Sequence, residues 1–268
     1  MQTTIKLTTI RASSLGELFD CPARWESKHI LKMHTPSNGK AQLGRAVHAS
    51  TAAYDQAVLD GSGITIQEAA GAAVDTISNP DEEVSWDDDK PADVEKIALS
   101  LHRKYCEQVA PTQNYVAVEV QCDRLEITDV GLALTGTTDR IRKTNGGYGI
   151  VDIKTGKQAV AKDGHVNTKG HAYQIGVYEL LAEYGGGLPI TAPGEIVGLN
   201  TAKTPASQRI GSGEITGSRA VLLGDASNTG ILSQASKLIH SGSFYGNPKS
   251  MMCHERYCPR YTTCNFRK

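Results

Sequence analysis

The chain has 268 residues, 28 Lys and Arg against 29 Asp and Glu, and a formal net charge of −1 at pH 7. At roughly 150 residues per domain this is one large domain or two small ones, long enough for a core that needs neither disulfides nor metal merely to fold. No apolar run approaches the ~18 residues of a membrane span, and Met1 to Ile10 lacks a signal-peptide pattern, so a cytoplasmic protein is expected.

In chain order, Ser13-Ser14 with Glu17 predicts a helix opened by a capping box and running through Leu18 and Phe19. Helices are predicted over 42–59, 66–77 and 92–109, the last two joined by an acidic loop. The character then changes, and runs rich in Val, Ile, Leu and Thr predict strands at 115–127, 132–142 and 147–153. An apolar stripe of Tyr173, Val177, Leu180 and Leu181 predicts a helix over 169–184. A fourth strand is predicted at 195–201 and a long last helix at 219–240. This order predicts an α/β (α+β) class with a central mixed sheet, as one domain over 1–268 with a helical insertion at about 60–110.

A near-zero net charge argues against a nucleic-acid binder only if the charge is evenly spread. Residues 1–50 hold seven basic and three acidic side chains, and residues 249–268 hold five basic and one acidic. Residues 75–95 hold nine acids and only Lys90, a solvated loop or a surface that repels or mimics DNA. The expected surface is a positive track built from the two ends, with an acidic lobe elsewhere. Cys253, Cys258 and Cys264 cluster at the C-terminus, and Cys21 stands alone near the N-terminus. In a reducing compartment such a set points to metal rather than disulfides. Cys106 and Cys122 read as core thiols.

The segment from Thr137 to Lys154 is the most informative. Asn145-Gly146 between strand-like runs is a strong hairpin signal. With those two residues as the turn, Thr144 pairs with Gly147 and Asp139 falls opposite Asp152, with Cβ atoms ~5 Å apart. Lys154 lies on the same face, and a one-residue slip would separate the acids. Two adjacent carboxylates repel unless a cation sits between them or one is protonated. Oxygen ligands favour Mg²⁺ or Mn²⁺, and a neighbouring ammonium can stabilise developing negative charge. Phosphodiester hydrolysis fits these parts, and a surface cluster of ion pairs involving Arg140 is the alternative.

Gly136-x-x-Asp139, Asp152-x-Lys154 and Gln174-x-x-x-Tyr178 together resemble the PD-(D/E)XK nuclease superfamily, and within it the Cas4 and RecB-type exonucleases. Gly44 to His48 resembles that branch's G-x-x-x-H motif, Ser13 to Trp25 its N-terminal cysteine segment, and Cys258 to Cys264 its C-terminal cluster segment. The resemblance implies a restriction-endonuclease-like core. It implies that His48, Asp139, Asp152 and the backbone carbonyl of Ile153 hold a divalent metal, that Lys154 is the catalytic lysine, and that Gln174 and Tyr178 contact DNA or support the site. Cys21, Cys253, Cys258 and Cys264 would hold a [4Fe–4S] cluster, with structural Zn²⁺ as the alternative. That cluster would bracket 13–32 with 245–268. Strand alternation turns Glu119 away from the row Val116, Val118 and Val120, and the resemblance, which often has an acid at this place, implies a position near the metal.

The implied activity is a metal-dependent deoxyribonuclease, expected to act on single strands or ends as an exonuclease. Recombination, repair, phage replication and Cas4-like spacer processing are the expected settings. Candidate partners are DNA and a helicase, recombinase or Cas1-like integrase, with no membrane. The other function class is a module that binds DNA ends or a recombination partner, with cleavage vestigial or dependent on another subunit.

Overall fold

A computed structural model describes residues 7–267. Its elements are β1 (Thr8–Arg11), α1 (Leu15–Asp20), α2 (Pro22–His29), β2 (Ser37–Asn38), α3 (Gly39–Asp60), α4 (Ile66–Ala69), α5 (Gly71–Ser78), β3 (Val84–Ser85) and α6 (Pro91–Gln108). There follow β4 (Tyr115–Ile127), β5 (Leu132–Thr144), β6 (Gly147–Gly156), α7 (Ala172–Tyr184), β7 (Gly194–Asn200), β8 (Ile210–Ile215), α8 (Ser218–Leu223) and α9 (Ile231–Ser241).

The long strand β5 organises a six-stranded mixed sheet. Antiparallel β4 lines one of its edges. Its other edge takes parallel β1 at Leu132–Thr135 and antiparallel β6 at Arg140–Thr144. From β6 the sheet continues through parallel β7 and antiparallel β8. Helices cover both faces. One core gathers Leu15, Leu18, Ile141, Ile150, Ile175 and Leu181. The other gathers Leu43, Val47, Leu101, Val151, Ile153 and Val197. With helices on both faces, β7 is buried along its whole length and β6 through its middle, so the polar residues they carry are buried too. Cys122 lies in the first core and Cys106 in the second. Among the described residues no helix is long and apolar enough to cross a membrane.

The Asn38 side chain caps α3 by accepting the Ala41 N–H, Pro91 opens α6, and the hairpin register runs from Thr144↔Gly147 to Arg140↔Val151 as expected. Three expectations are corrected. Ser14 does not cap α1: it is itself in helical geometry, its hydroxyl donates to the Arg11 carbonyl, and Glu17 bonds Arg24 and Lys28 instead. The helix predicted over 66–77 is broken at Ala70 into α4 and α5. The long last helix is two, because the chain leaves helical geometry at Gly224 (φ 80°). Strands β1 and β8 went unread because four or six residues flanked by polar chain carry too little periodicity.

The acidic segment is also corrected. It does not form a lobe away from the basic ends. β3 pairs in parallel with β2 just before α3, Arg45 bonds Glu82 at 2.7 Å, and Arg256 reaches Asp87 at 3.5 Å and Asp88 at 3.7 Å. Opposite charges thus close on one another across the fold.

Candidate metal centre and thiolate bracket

The site is assembled where β5 and β6 run past α3 and α7. Asp139 and Asp152 are 7% and 1% exposed, which rules out the surface ion-pair reading. Their position lies one step beyond the last paired residues of the hairpin, Arg140 and Val151. There the ladder gives way to a side-chain contact, in which the Ile153 N–H donates to Asp139 Oδ2 at 2.7 Å. That bond puts the Ile153 peptide at the centre.

His48, on α3, places Nδ1 3.5 Å from Asp139 Oδ2. Ligand atoms of His48, Glu119 and Asp139 all lie within 4.8 Å of one another. Glu119 lies between Val118 and Val120, which pair with Arg140 and Thr138, so the strand register sets it level with Asp139, near the site as expected. β4 carries register shifts at Tyr115/Ala117 and Cys122/Leu125, and Glu119 itself adopts φ 47°. A left-handed conformation is costly for a non-glycine residue. Here it turns the carboxylate toward Arg140 Nη1, 3.1 Å away.

Lys154 Nζ lies 2.6 Å from Asp152 Oδ2 and donates to Gln174 Oε1 at 3.0 Å, while Gln174 Nε2 donates to the Tyr178 hydroxyl at 2.9 Å. The i, i+4 spacing on α7 therefore delivers a relay that ends on the lysine. Gly136 makes room for it: a Cβ there would sit 2.9 Å from the Tyr178 ring.

Burial pushes Asp152 up to about 6, helped by the neighbouring Asp139 charge and opposed by Lys154. Burial also works against charge on Asp139. His48, Lys154 and the Ile153 N–H outweigh it and hold that carboxyl at about 2. The same Asp139 raises His48 above its ordinary value against the effect of burial. Asp152 Oδ2 is buried and makes no hydrogen bond, its approach to Lys154 being off hydrogen-bond geometry. Two buried carboxylates side by side, one of them part of a His/Glu/Asp triad, are the situation that a hard dication relieves. The residues fit such an ion.

A group missed in the sequence supports the centre. Arg140 is completely buried. Its Nε donates to Asp55 Oδ2 at 2.7 Å, Nη1 to the Asp139 carbonyl at 2.7 Å, and Nη2 to Thr51 Oγ1 at 3.3 Å. Tyr105 adds a hydrogen bond to Asp55 at 2.6 Å. The readable signal was the spacing of His48, Thr51 and Asp55, which places all three on one face of a helix.

The thiolate set is brought together elsewhere. Cys21, Cys253, Cys258 and Cys264 line one cavity with Met252 and Tyr261. Burial pushes Cys253 and Cys258 up, and the neighbouring thiols add to it. The chain ends are joined around it: Ala23 N–H donates to the Tyr245 carbonyl at 3.0 Å, Arg24 Nε to the Tyr257 carbonyl at 3.0 Å, and Trp25 stacks on Phe244 at 6.2 Å. Among the described residues no three of these thiols approach within 4.8 Å of one another.

The sequence matches the family model of the PD-(D/E)XK nuclease superfamily over residues 10–265. Comparison with curated proteins finds no match. Among solved structures, a protein from Eubacterium rectale named as a candidate exonuclease is 14% identical, with a TM-score of 0.50, covering 90% of this chain and 84% of that one. The crystal structure of SSO0001 is 16% identical, with a TM-score of 0.43, covering 96% of this chain and 86% of that one.

Proposed function

The chain belongs to the PD-(D/E)XK nuclease superfamily, whose members are metal-dependent nucleases, and from that premise we propose that it is a Mg²⁺- or Mn²⁺-dependent deoxyribonuclease of the Cas4/RecB-like branch. It acts on single strands or ends as one nuclease domain of the cytoplasm and carries a [4Fe–4S] cluster. The observation that carries the proposal is the meeting of Asp139, Asp152 and Lys154 at one buried strand end, with His48 and Glu119 beside Asp139.

His48, Asp139, Asp152, Glu119 and the carbonyl of Ile153 would hold the divalent ion. Bound there, it would neutralise the scissile phosphate and lower the pKa of a coordinated water. The protein's own groups do the rest. Lys154, held by Gln174, presents an ammonium to charge developing on the attacked phosphate. Tyr178 fixes Gln174, and Arg140 ties His48's helix to the strand of Asp139. Cys21, Cys253, Cys258 and Cys264 would hold the cluster. It would staple the chain's two ends across a loop spanning most of the sequence, where closure entropy is large.

The test is anaerobic purification with iron, sulfide and zinc analysis, followed by cleavage assays on single-stranded and duplex DNA with Mg²⁺ and Mn²⁺. Lys154→Ala and Asp152→Ala are expected to fold normally and lose cleavage. A cluster-loaded protein that cleaves no DNA form with either metal refutes the activity. A colourless zinc protein refutes the cluster and leaves the activity standing.

A further inference from the structure

A groove lies beside the candidate centre, beyond the end of β6. Its floor is apolar, made by Leu43, Val94 and Ile97, and its rim carries Lys40, Lys157 and Lys203. All three lysines are exposed. Among the described residues the lysines in ion pairs are Lys28, Lys96 and Lys154, so these three have no carboxylate partner. The groove holds about 320 Å³, within the ~300–1,000 Å³ of small-molecule sites.

Its walls are fixed. The Thr201 N–H donates to the Gly156 carbonyl at 3.2 Å and Asn200 Nδ2 to the Lys157 carbonyl at 2.5 Å, joining the loop after β6 to the end of β7. Lys157 follows Lys154 by three residues, ~10 Å along an extended chain. Leu43 precedes His48 by five residues of α3, ~8 Å along the helix. Both walls of the groove are therefore continuous with elements that build the centre.

We propose that this groove seats the strand flanking the scissile phosphate, a single-stranded DNA segment with a base on the Leu43–Val94–Ile97 floor and its phosphates on Lys40, Lys157 and Lys203. The inference rests on the nuclease reading above. Charge complementarity and continuity with the centre select the occupant. The apolar floor selects a single strand, because a duplex keeps its bases stacked inside and offers only its backbone. Asp89, the one acid in the lining, packs against the start of α3, where a Cβ on Gly39 would lie 2.9 Å from its Oδ2. Asp89 therefore weakens phosphate binding in the groove, and its removal strengthens it.

The experiment measures binding of a fluorescent oligothymidylate and of a matched duplex to the full chain in EDTA across a salt series, with cleavage in Mn²⁺ assayed in parallel. Loss of three phosphate contacts lowers the salt slope by about 2 and weakens single-strand affinity on the order of 50-fold at physiological salt, at ~0.7 counterions per phosphate. The variant Lys40→Ala/Lys157→Ala/Lys203→Ala is expected to show this loss on the single strand, with KM raised more than kcat falls, while Asp89→Asn binds tighter. Unchanged single-strand affinity and slope in the lysine variant, with wild-type cleavage intact, overturn the groove and leave the nuclease reading standing. Wild type that shows the groove-dependent binding but never cleaves refutes the nuclease reading and keeps the groove.

Discussion

Replacing Asp55 with Asn removes the charge that faces Arg140 at the heart of the fold while keeping the side chain's volume. The Arg140 side chain is 0% exposed and that of Asp55 2% exposed. After the change, Arg140 retains the Asp139 carbonyl, the Thr51 hydroxyl and Glu119, whose own side chain is 43% exposed. Breaking one side of a buried pair leaves a desolvated charge and costs ~3–5 kcal/mol. That is a large share of a typical ~5–15 kcal/mol fold. At a urea m-value of about 3 kcal/mol/M the midpoint falls by about 1 to 1.7 M. Tyr105→Phe removes the hydrogen bonds of one hydroxyl, to Asp55 at 2.6 Å and with the Tyr115 hydroxyl at 3.0 Å, and is expected to cost ~1.5–3 kcal/mol. The double variant is expected to cost clearly less than the sum, because both changes act on one carboxylate. A loss below ~1 kcal/mol for Asp55→Asn, with an unchanged m-value, refutes the claim that this pair anchors α3 to β5.

Three further outcomes follow from the same geometry. Gly136→Ala drives a methyl to 2.9 Å from the Tyr178 ring and 3.3 Å from Leu181, and is expected to cost ~1–3 kcal/mol by overpacking and to lower kcat by displacing the Gln174 relay; thermal melts and steady-state cleavage check both. Glu17 is held at about 2: burial opposes its charge, and bonds from His29 and Lys28 with the nearby Arg24 outweigh that. Its folded value is depressed, so its stabilisation is present above the ordinary 4.5 and lost as pH falls from there toward 2. The carboxyl is 31% exposed, so solvent screening leaves ~1 kcal/mol, and Glu17→Gln is expected to flatten the acid limb of the stability–pH curve by that amount. Cys258→Ser is expected to abolish visible absorption of the anaerobic protein and lower its melting temperature; an unchanged spectrum and iron content would remove Cys258 from the ligand set.

The sequence by itself determined what is local. The Asn145-Gly146 turn sets the hairpin register, with the positive φ of 113° falling on the following Gly147 rather than on the turn residues themselves, and that register is enough to bring Asp139, Asp152 and Lys154 toward one place. Helical spacing pairs Gln174 with Tyr178, and Asn38 and Pro91 mark where α3 and α6 begin. Only the tertiary structure decided the rest, because it depends on contacts between segments far apart in the chain. Glu119 adopts a left-handed φ of 47° and bonds Arg140, a local conformation that a rule of strand alternation does not contain. Arg140, beside Asp139 in sequence, looks like a surface cation until α3 and β4 close over it. The acidic segment, which composition alone assigns to open solvent, docks on Arg45 and Arg256. The net charge of −1 thus conceals a pairing of opposite charges in space, with Lys40, Lys157 and Lys203 left unpaired beside the centre.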